Sequence, residues 1–374
     1  MKLAPLDASL VPALEAFHQR LDDHGGPAYR FGTAVAAVPD AATPPPVFSE
    51  TMVAVDGPDV RGGIMLQHHV VHTSSGDKQG VNIQLPLSEG TVNRRFVHVG
   101  AWLIRKTLER YPCAFAVGMG GLEMPLPKLL SALRWTVVPV PFLFRVHNVG
   151  RFLRNMPTLN RSVARRVMSA TMALSGVGWA TIRAAQVITA ARYRQQNIHP
   201  PLSGSRISAW GDWATEIWNA ARSHYAIATV RDGESLSVLY PAAHARTLCW
   251  RVQSAGETVG WFVLLRTAMA GSDYFGNLTV GTVLDCLCIP GHEAGVAKAA
   301  RQALDDLDVD ISLTNQLHRS WQHAFQAAGY LSAPSNYLFA ASPALMRAGG
   351  DASIEHLLAA THVTRGDGDG RIHL

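Results

Sequence analysis

Apolar positions at helical spacing open the chain. Leu10, Leu14 and Leu21 fall on roughly one face, which predicts a helix over residues 1–30. A Pro/Ala-rich stretch, Val38 to Pro46, ends that pattern. Strand-like runs follow at Thr51–Val55, Gly63–Val71 and Gly80–Leu85, and the turn TSSGDKQG between the last two predicts a hairpin. The pattern becomes helical at Gly100–Tyr111, with Leu103, Ile104 and Leu108 inward, then gives a short strand at Phe115–Val117. A helix at Leu126–Trp135 and a strand at Val137–Val146 complete the first half.

The same order returns later. After a Pro/Gly/Ser-containing loop at 197–213, a helix is expected at Trp213–Ser223, with strands at Ala245–Val252, Thr258–Arg266 and Val280–Cys288. A helix at Glu293–Leu307, a strand at Asp310–Thr314, a helix at Arg319–Gly329 and a strand at Tyr337–Ala341 follow. The parallel lies in element order, because the residues themselves hardly match. It predicts an α/β (α+β) protein of two mixed-sheet domains with helices on both faces. The expected divisions are 1–150, a basic helical linker 151–212, a second domain 213–345 and a tail 346–374. A length of 374 residues accommodates two such domains.

Charge changes this picture in one place. From Met124 to Gly211 there is no Asp or Glu, while 12 Lys and Arg residues fall there, although the whole chain is only +5. A one-sign stretch of this length points to an anionic partner or to packing against the acidic remainder. Within it, Val167–Ile182 is uncharged and flanked by Arg166 and Arg183. It is too short to span a bilayer. Two readings remain open for 151–196: a helix at an anionic membrane surface, and a helix buried against protein. The four cysteines form no CxxC pair and no disulfide framework, which points to a reducing, cytoplasmic compartment with peripheral membrane association as the alternative. The N-terminus has no secretory signal pattern.

Candidate chemistry centres on EGTVNRRFVHVGAW, Glu89 to Trp102. A strand-like run, VNIQL, feeds this polar loop, and Gly100 and Ala101 begin a helix. Unpaired N–H groups at a helix start attract phosphate, and nearby arginines add charge-assisted bonds. The arrangement resembles the GNAT (N-acetyltransferase) superfamily, in which a strand runs into an Arg-x-x-Gly-x-Gly/Ala loop that holds the acyl-CoA pyrophosphate. In that register Arg95 matches the arginine, Val99 the apolar residue and Gly100 the last glycine; His98 stands where the inner glycine is expected. NQLHRSWQHAFQAAGY, Asn315 to Tyr330, resembles the superfamily's closing strand–Asn–helix–Gly-aromatic motif, with a worn counterpart at Leu126–Trp135. Many active members place a tyrosine acid four residues before that glycine. Phe325 and Leu130 stand there, and neither can donate a proton.

The resemblance covers roughly 1–150 and 215–345, as a tandem GNAT-like protein. It implies an acyl-CoA-dependent N-acyltransferase that passes an acetyl or longer acyl group to an amine, with an amino sugar as one candidate acceptor. It implies no metal. The binding residues it points to are Asn82, Ile83, Leu85, Arg94, Arg95, His98, Val99, Gly100 and Ala101, all in the first half. The second half has a glycine turn at Ile289–Gly295 without a basic residue. His68 and His72, on one face of the strand QHHVVH, are the bases this reading selects; a solvated strand end is the alternative. Cys286 and Cys288 share a strand face and read as core thiols. The tail TRGDGDG reads as a tight turn or flexible end, and tails of this kind resemble those of polysaccharide-cluster acyltransferase-like proteins. Two further readings share the fold: a peptidoglycan-type transferase using aminoacyl-tRNA, and a non-catalytic scaffold at a membrane. Nucleic acid is the less expected partner, because the tRNA-using group usually carries a long helical arm and only the Arg151–Gln196 stretch could stand for it here.

Overall fold

Residues Lys2–Pro5, expected to begin a helix, are instead an edge strand, β1, paired antiparallel with β2 (Val47–Asp56). The helix starts only after Asp7, whose carboxylate accepts from the N–H groups of Ser9 and Leu10. Pro12 then sits in the first turn of α1 (Val11–Asp23), where its missing N–H costs nothing. The computed structural model describes residues 1–34, 45–159, 171, 175–194 and 202–368. The Val38–Pro46 stretch lies largely outside them, and of the run Val167–Ile182 residues 167–170 and 172–174 lie outside.

Past β2 the expected hairpin forms, with β3 (Asp59–Thr73) and β4 (Lys78–Ser88) joined across the TSSGDKQG turn. Then come α2 (Val99–Arg110), β5 (Ala114–Gly118), α3 (Pro125–Ala132) and β6 (Thr136–Pro139). The strand expected at Val137–Val146 is broken at Val140-Pro141, and β7 (Phe142–Val146) belongs to a different sheet. There follow α4 (Val149–Asn155), α5 (Val177–Arg192), β8 (Leu202–Arg206), α6 (Asp212–Ala221), β9 (Ile227–Thr229), α7 (Gly233–Leu239) and the meander β10 (Leu248–Ser254), β11 (Glu257–Ala268), β12 (Thr279–Cys288). The order then runs α8 (Glu293–Asp306), β13 (Ile311–Asn315), α9 (Arg319–Ala327), β14 (Leu331–Ala333), β15 (Leu338–Ala341), α10 (Pro343–Ala348), α11 (Ile354–Ala359) and β16 (Thr361–His362).

Two compact units result, each made of two separate stretches of the chain. The first unit is Met1–Val138 with Leu338–Asp351; the second is Pro139–Tyr337 with Ala352–Leu374. The first has the sheet order β1-β2-β3-β4-β5-β15-β6, and the second β14-β7-β13-β12-β11-β10-β8. Along each of these orders an antiparallel meander is followed by a parallel pair, β4–β5 or β12–β13. Consecutive domains 1–150 and 213–345 were expected, whereas β15 lies beside β5 and β7 beside β13. The described parts of 151–212 fall in the second unit, where β8 pairs with β10 as an edge strand.

Both sheets are layered. In the first unit Leu103, Ile104 and Leu130 of α2 and α3 pack on Ile64, Leu66 and Ile83, while Leu14, Phe17 and Leu21 of α1 cover Val53 and Leu87 on the other face. In the second, α8 and α9 bury Val296, Ala300, Trp321 and Phe325 on Phe262, Leu264 and Val283. The second unit also carries α6, which packs against β11 and β12.

The duplication is visible in backbone geometry where the letters have diverged. Gly329 ends α9 at φ +85°, and the Tyr330 N–H donates to Phe325 O at 3.0 Å. Arg134 ends α3 at φ +64°, and the Trp135 N–H donates to Leu130 O at 3.1 Å. Both are left-handed helix ends closed by the long-range bond of a Schellman-type cap. Phe325 and Leu130, four residues before these helix ends, are wholly buried, so each is a core residue of its unit.

Candidate functional site

In the first unit, strands β4 and β5 pair only at Val81–Ala114 and Asn82–Phe115. Beyond that rung β4 continues to Ser88, paired with β3 alone. A bulge helps it leave: Met65 faces Gln84 and Gly63 faces Leu87, so Leu85 and Pro86 together oppose Ile64. Leu85 is at φ +44°, a conformation that a branched residue adopts only under tertiary constraint. The Val81 N–H donates to Cys113 O, so backbone alternation turns the N–H and C=O of Ile83 toward the parting. Asn82 is buried and its partner across the hairpin is Gln67.

The loop that follows is clamped from below. The Glu89 carboxylate is buried and accepts from Arg20 Nε at 3.2 Å and from Arg61 Nη1 at 3.0 Å. The Cβ that any other residue would carry at Gly90 would clash with the backbone of Phe96 and Val97, so the loop folds back on itself there. Arg94–Phe96 forms one 3-10 turn, capped by Asn93, whose side chain accepts from the Arg95 N–H at 3.1 Å. Phe96 is buried, with the Arg61 guanidinium 4.4 Å and the Arg95 guanidinium 5.6 Å from its ring centre. Phe96 thus tethers Arg95 by a cation–π contact while Arg94 and Arg95 stay exposed.

At the start of α2, His98 occupies the N-cap with no side-chain cap bond, and its side chain is exposed. The first N–H groups of α2, from Val99, Gly100 and Ala101, are those an α-helix leaves without an internal partner. Val99 is buried in the core and fixes the helix start. A Cβ at Gly100 would meet only Ser88 Oγ, at 3.6 Å, so internal packing does not require glycine there. The sequence did not single out the loop after β5. Gly118, Met119, Gly120 and Gly121 all have positive φ, at the carboxyl end of β5. Its sequence signal was the glycine spacing in GMGG.

The histidines sit elsewhere. His68 lies at the other end of α2, where its Nε2 is 2.8 Å from Glu50 Oε1 and its ring stacks on Phe48 at 4.2 Å. Tyr111 donates its OH to the same Glu50 oxygen at 3.2 Å. Burial raises the Glu50 carboxyl, but the bonds from His68 and Tyr111 outweigh it and hold the group below its usual value. Burial and the Glu50 charge push the Tyr111 phenol up to about 12. His72 lies at the hairpin turn, 2.9 Å from Asp77. The structure therefore joins Arg94, Arg95, His98, Val99, Gly100 and Ala101 to the open edge of β4, and does not bring His68 or His72 to them. His69, on the opposite face of β3 from His68, lies 5.8 Å from Phe115 at the last shared rung.

The second unit repeats the parting and fills it. β12 and β13 pair at Val280–Ile311, Gly281–Ser312 and Thr282–Leu313, then separate. The segment after α11 enters there: Gln316 bridges Thr364, the Leu317 N–H donates to Val363 O, and His362 Nε2 donates to Cys286 O at 3.1 Å. Arg231 lies fully buried beneath, donating to Asp285 at 3.0 Å and to Asp367 at 2.7 Å. Tyr240 and Thr364 donate their hydroxyls to Asp285, and Thr229 donates to Asp367. Burial raises the Asp285 carboxyl above its usual value despite Arg231. The tail thus forms a tight buried turn through Gly368; the residues after it lie outside those described. Cys286 and Cys288 are core thiols, their pKa values raised by burial. Among the described residues no cluster could hold a metal, and no helix is long and apolar enough to cross a membrane.

No family model and no curated protein matches the chain. Among solved structures it is similar to Saccharomyces cerevisiae N-myristoyltransferase with bound myristoyl-CoA, at 9% identity over 91% of this chain and 78% of that one, with a TM-score of 0.48. It is also similar to a conserved Enterococcus faecalis protein described as a probable N-acyltransferase, at 7% identity over 92% and 73% of the two chains, with a TM-score of 0.49. A tandem GNAT protein from the clavulanic acid biosynthesis pathway matches at 12% identity over 94% and 99%, with a TM-score of 0.43.

Proposed function

We propose that the first unit is a GNAT-type acyl-CoA-dependent N-acyltransferase domain, and that the second is a structural partner without its own acyl-CoA. The observation that carries this reading is the contrast between the two strand partings. In the first unit a bulged strand leaves its parallel neighbour beside an uncapped helix start with two exposed arginines. In the second the same parting holds the chain's own residues Thr361–Gly368.

In the first unit, the N–H groups of Val99, Gly100 and Ala101 would bind the pyrophosphate, with charge-assisted bonds from Arg94 and Arg95. The exposed His98 imidazole stands at the same helix start and would add a donor. The backbone of Ile83 and the bulge at Leu85 would orient the thioester carbonyl at the parting. An amine acceptor, with an amino sugar as one class, would attack that carbonyl directly. No cysteine nucleophile is needed, and burial raises the half-buried Cys113 thiol in this unit. Holding two reactants in register supplies a large part of an acyl-transfer acceleration without a covalent intermediate. We assign the proton acceptor to His69 in preference to His68 and His72, because His69 lies by the last rung shared by β4 and β5.

The test is acetyl-CoA titration with a thermal-shift readout. A ligand at 100 times its Kd stabilises by ~2.7 kcal/mol. A shift with acetyl-CoA or a longer acyl-CoA supports the reading; none with any acyl-CoA overturns it.

A further inference from the structure

The second unit carries a cationic cleft beside the middle of α8. Its volume is about 290 Å³, and Arg145, Arg183, Gln186, Lys298, Arg301 and Gly329 line it. Four cations from three elements meet there: Arg145 from β7, Arg183 from α5, and Lys298 and Arg301 from α8. No carboxylate lines it among the described residues. Among the described residues the acid paired with any of the four is Asp305, 3.7 Å from Arg301 and already engaged by His147 at 2.6 Å.

The cleft is built rather than incidental. Arg145 donates to the carbonyls of Ala328 and Gly329 at the end of α9. A Cβ at Gly329 would collide with that guanidinium, so the left-handed glycine both ends the helix and admits the arginine. Arg183 donates to Val146 O and His147 O, and Gln186 donates to Val146 O, which fixes α5 against β7. Arg145 Nε is buried and makes no hydrogen bond among the described residues. Burial, then repulsion from Arg301, lowers the Arg145 pKa from its ordinary value. A group of cations held together against their repulsion is stabilised by an anion with several acceptor oxygens.

The neighbouring helix indicates where that anion comes from. α5 leaves Val177, Trp179, Val187 and Ile188 exposed, the last two at 66% each, and Val187 also lines the cleft. Exposed apolar side chains beside a cationic cleft match a bilayer surface, with apolar groups entering the headgroup region and arginines on phosphate. We propose that this cleft is a phosphate-binding site that takes the headgroup phosphate of an anionic phospholipid, with α5 lying on the membrane surface.

The experiment is flotation of the full chain with phosphatidylcholine vesicles, with and without phosphatidic acid. It is run on the wild type, on Lys298→Gln/Arg301→Gln, and on Arg206→Gln/Arg246→Gln as an equal charge change at exposed positions outside the cleft. The site predicts flotation only with phosphatidic acid, at least a tenfold loss in the cleft variant, and little loss in the control. Equal losses in both variants, or flotation unchanged by the cleft variant, overturn it. Titration with inorganic phosphate separates the sources: phosphate binding at the cleft without flotation overturns the lipid assignment. If the cleft variant fails to fold, Val187→Asp serves instead, and undiminished flotation of that variant contradicts the placement of α5.

Discussion

Asn82 lies opposite Phe115 at the last rung that β4 and β5 share. In the second unit the last such rung is Thr282–Leu313, and there the parting strands enclose a segment of the same chain. A sheet plan shared by the two units thus ends in two different ways, one that we propose takes a ligand and one closed by a buried turn.

Gly100 separates binding from stability. Its neighbour Ser88 leaves room for a methyl group, and glycine in a helix costs up to about 1 kcal/mol relative to alanine. Gly100→Ala is expected to raise the thermal midpoint slightly while weakening acyl-CoA binding several-fold. Calorimetric unfolding and binding titration on the same variant measure both.

Arg134 holds a left-handed helix end that its counterpart Gly329 adopts without strain. Arg134→Gly relieves ~1 kcal/mol of backbone strain. The expected result is a higher urea midpoint with an unchanged denaturant slope.

Asp367 anchors the buried turn of the second unit. Asp367→Ala leaves the fully buried Arg231 with one carboxylate fewer, and removing a partner from a buried ion pair costs about 3–5 kcal/mol. Thermal unfolding should show a large loss of stability. A loss below 1 kcal/mol would contradict the plug as a structural element.

Acid should destabilise the same unit. Burial, with His224 nearby, lowers His318 to about 4, and burial holds His362 well below its ordinary value. Both folded-state values are depressed, so the unfolded chain binds more protons below its own histidine pKa of ~6.5. Stability from these histidines is full above that pH and is lost as pH falls toward about 4. Unfolding free energies measured across this window should decline with acid, and His318→Gln should flatten the decline.

The hairpin at TSSGDKQG, helix α2 and the Asn315–Tyr330 motif were legible because periodicity and turn chemistry are local. Lys2–Pro5 was not, since four residues carry too little pattern to distinguish an edge strand from a helix start. The break at Val140-Pro141 was hidden for another reason: apolar residues continue across it, and only the tertiary destination of each half differs. In the site, the arginine–glycine loop was readable, but the Glu89 clamp depends on Arg20 and Arg61, far away in sequence. Alternation placed His68 and His72 on one face of β3 and His69 on the other, but it does not say which face meets the parting, since that depends on the pairing of β4 with β5.

The most direct test is calorimetric titration of acetyl-CoA into the wild type and into Arg94→Ala/Arg95→Ala. The account predicts one site per chain, with affinity reduced at least tenfold in the variant, since a hydrogen bond to a charged group contributes about 1.5–3 kcal/mol. Two sites per chain, or one whose affinity the double variant leaves unchanged, would contradict it.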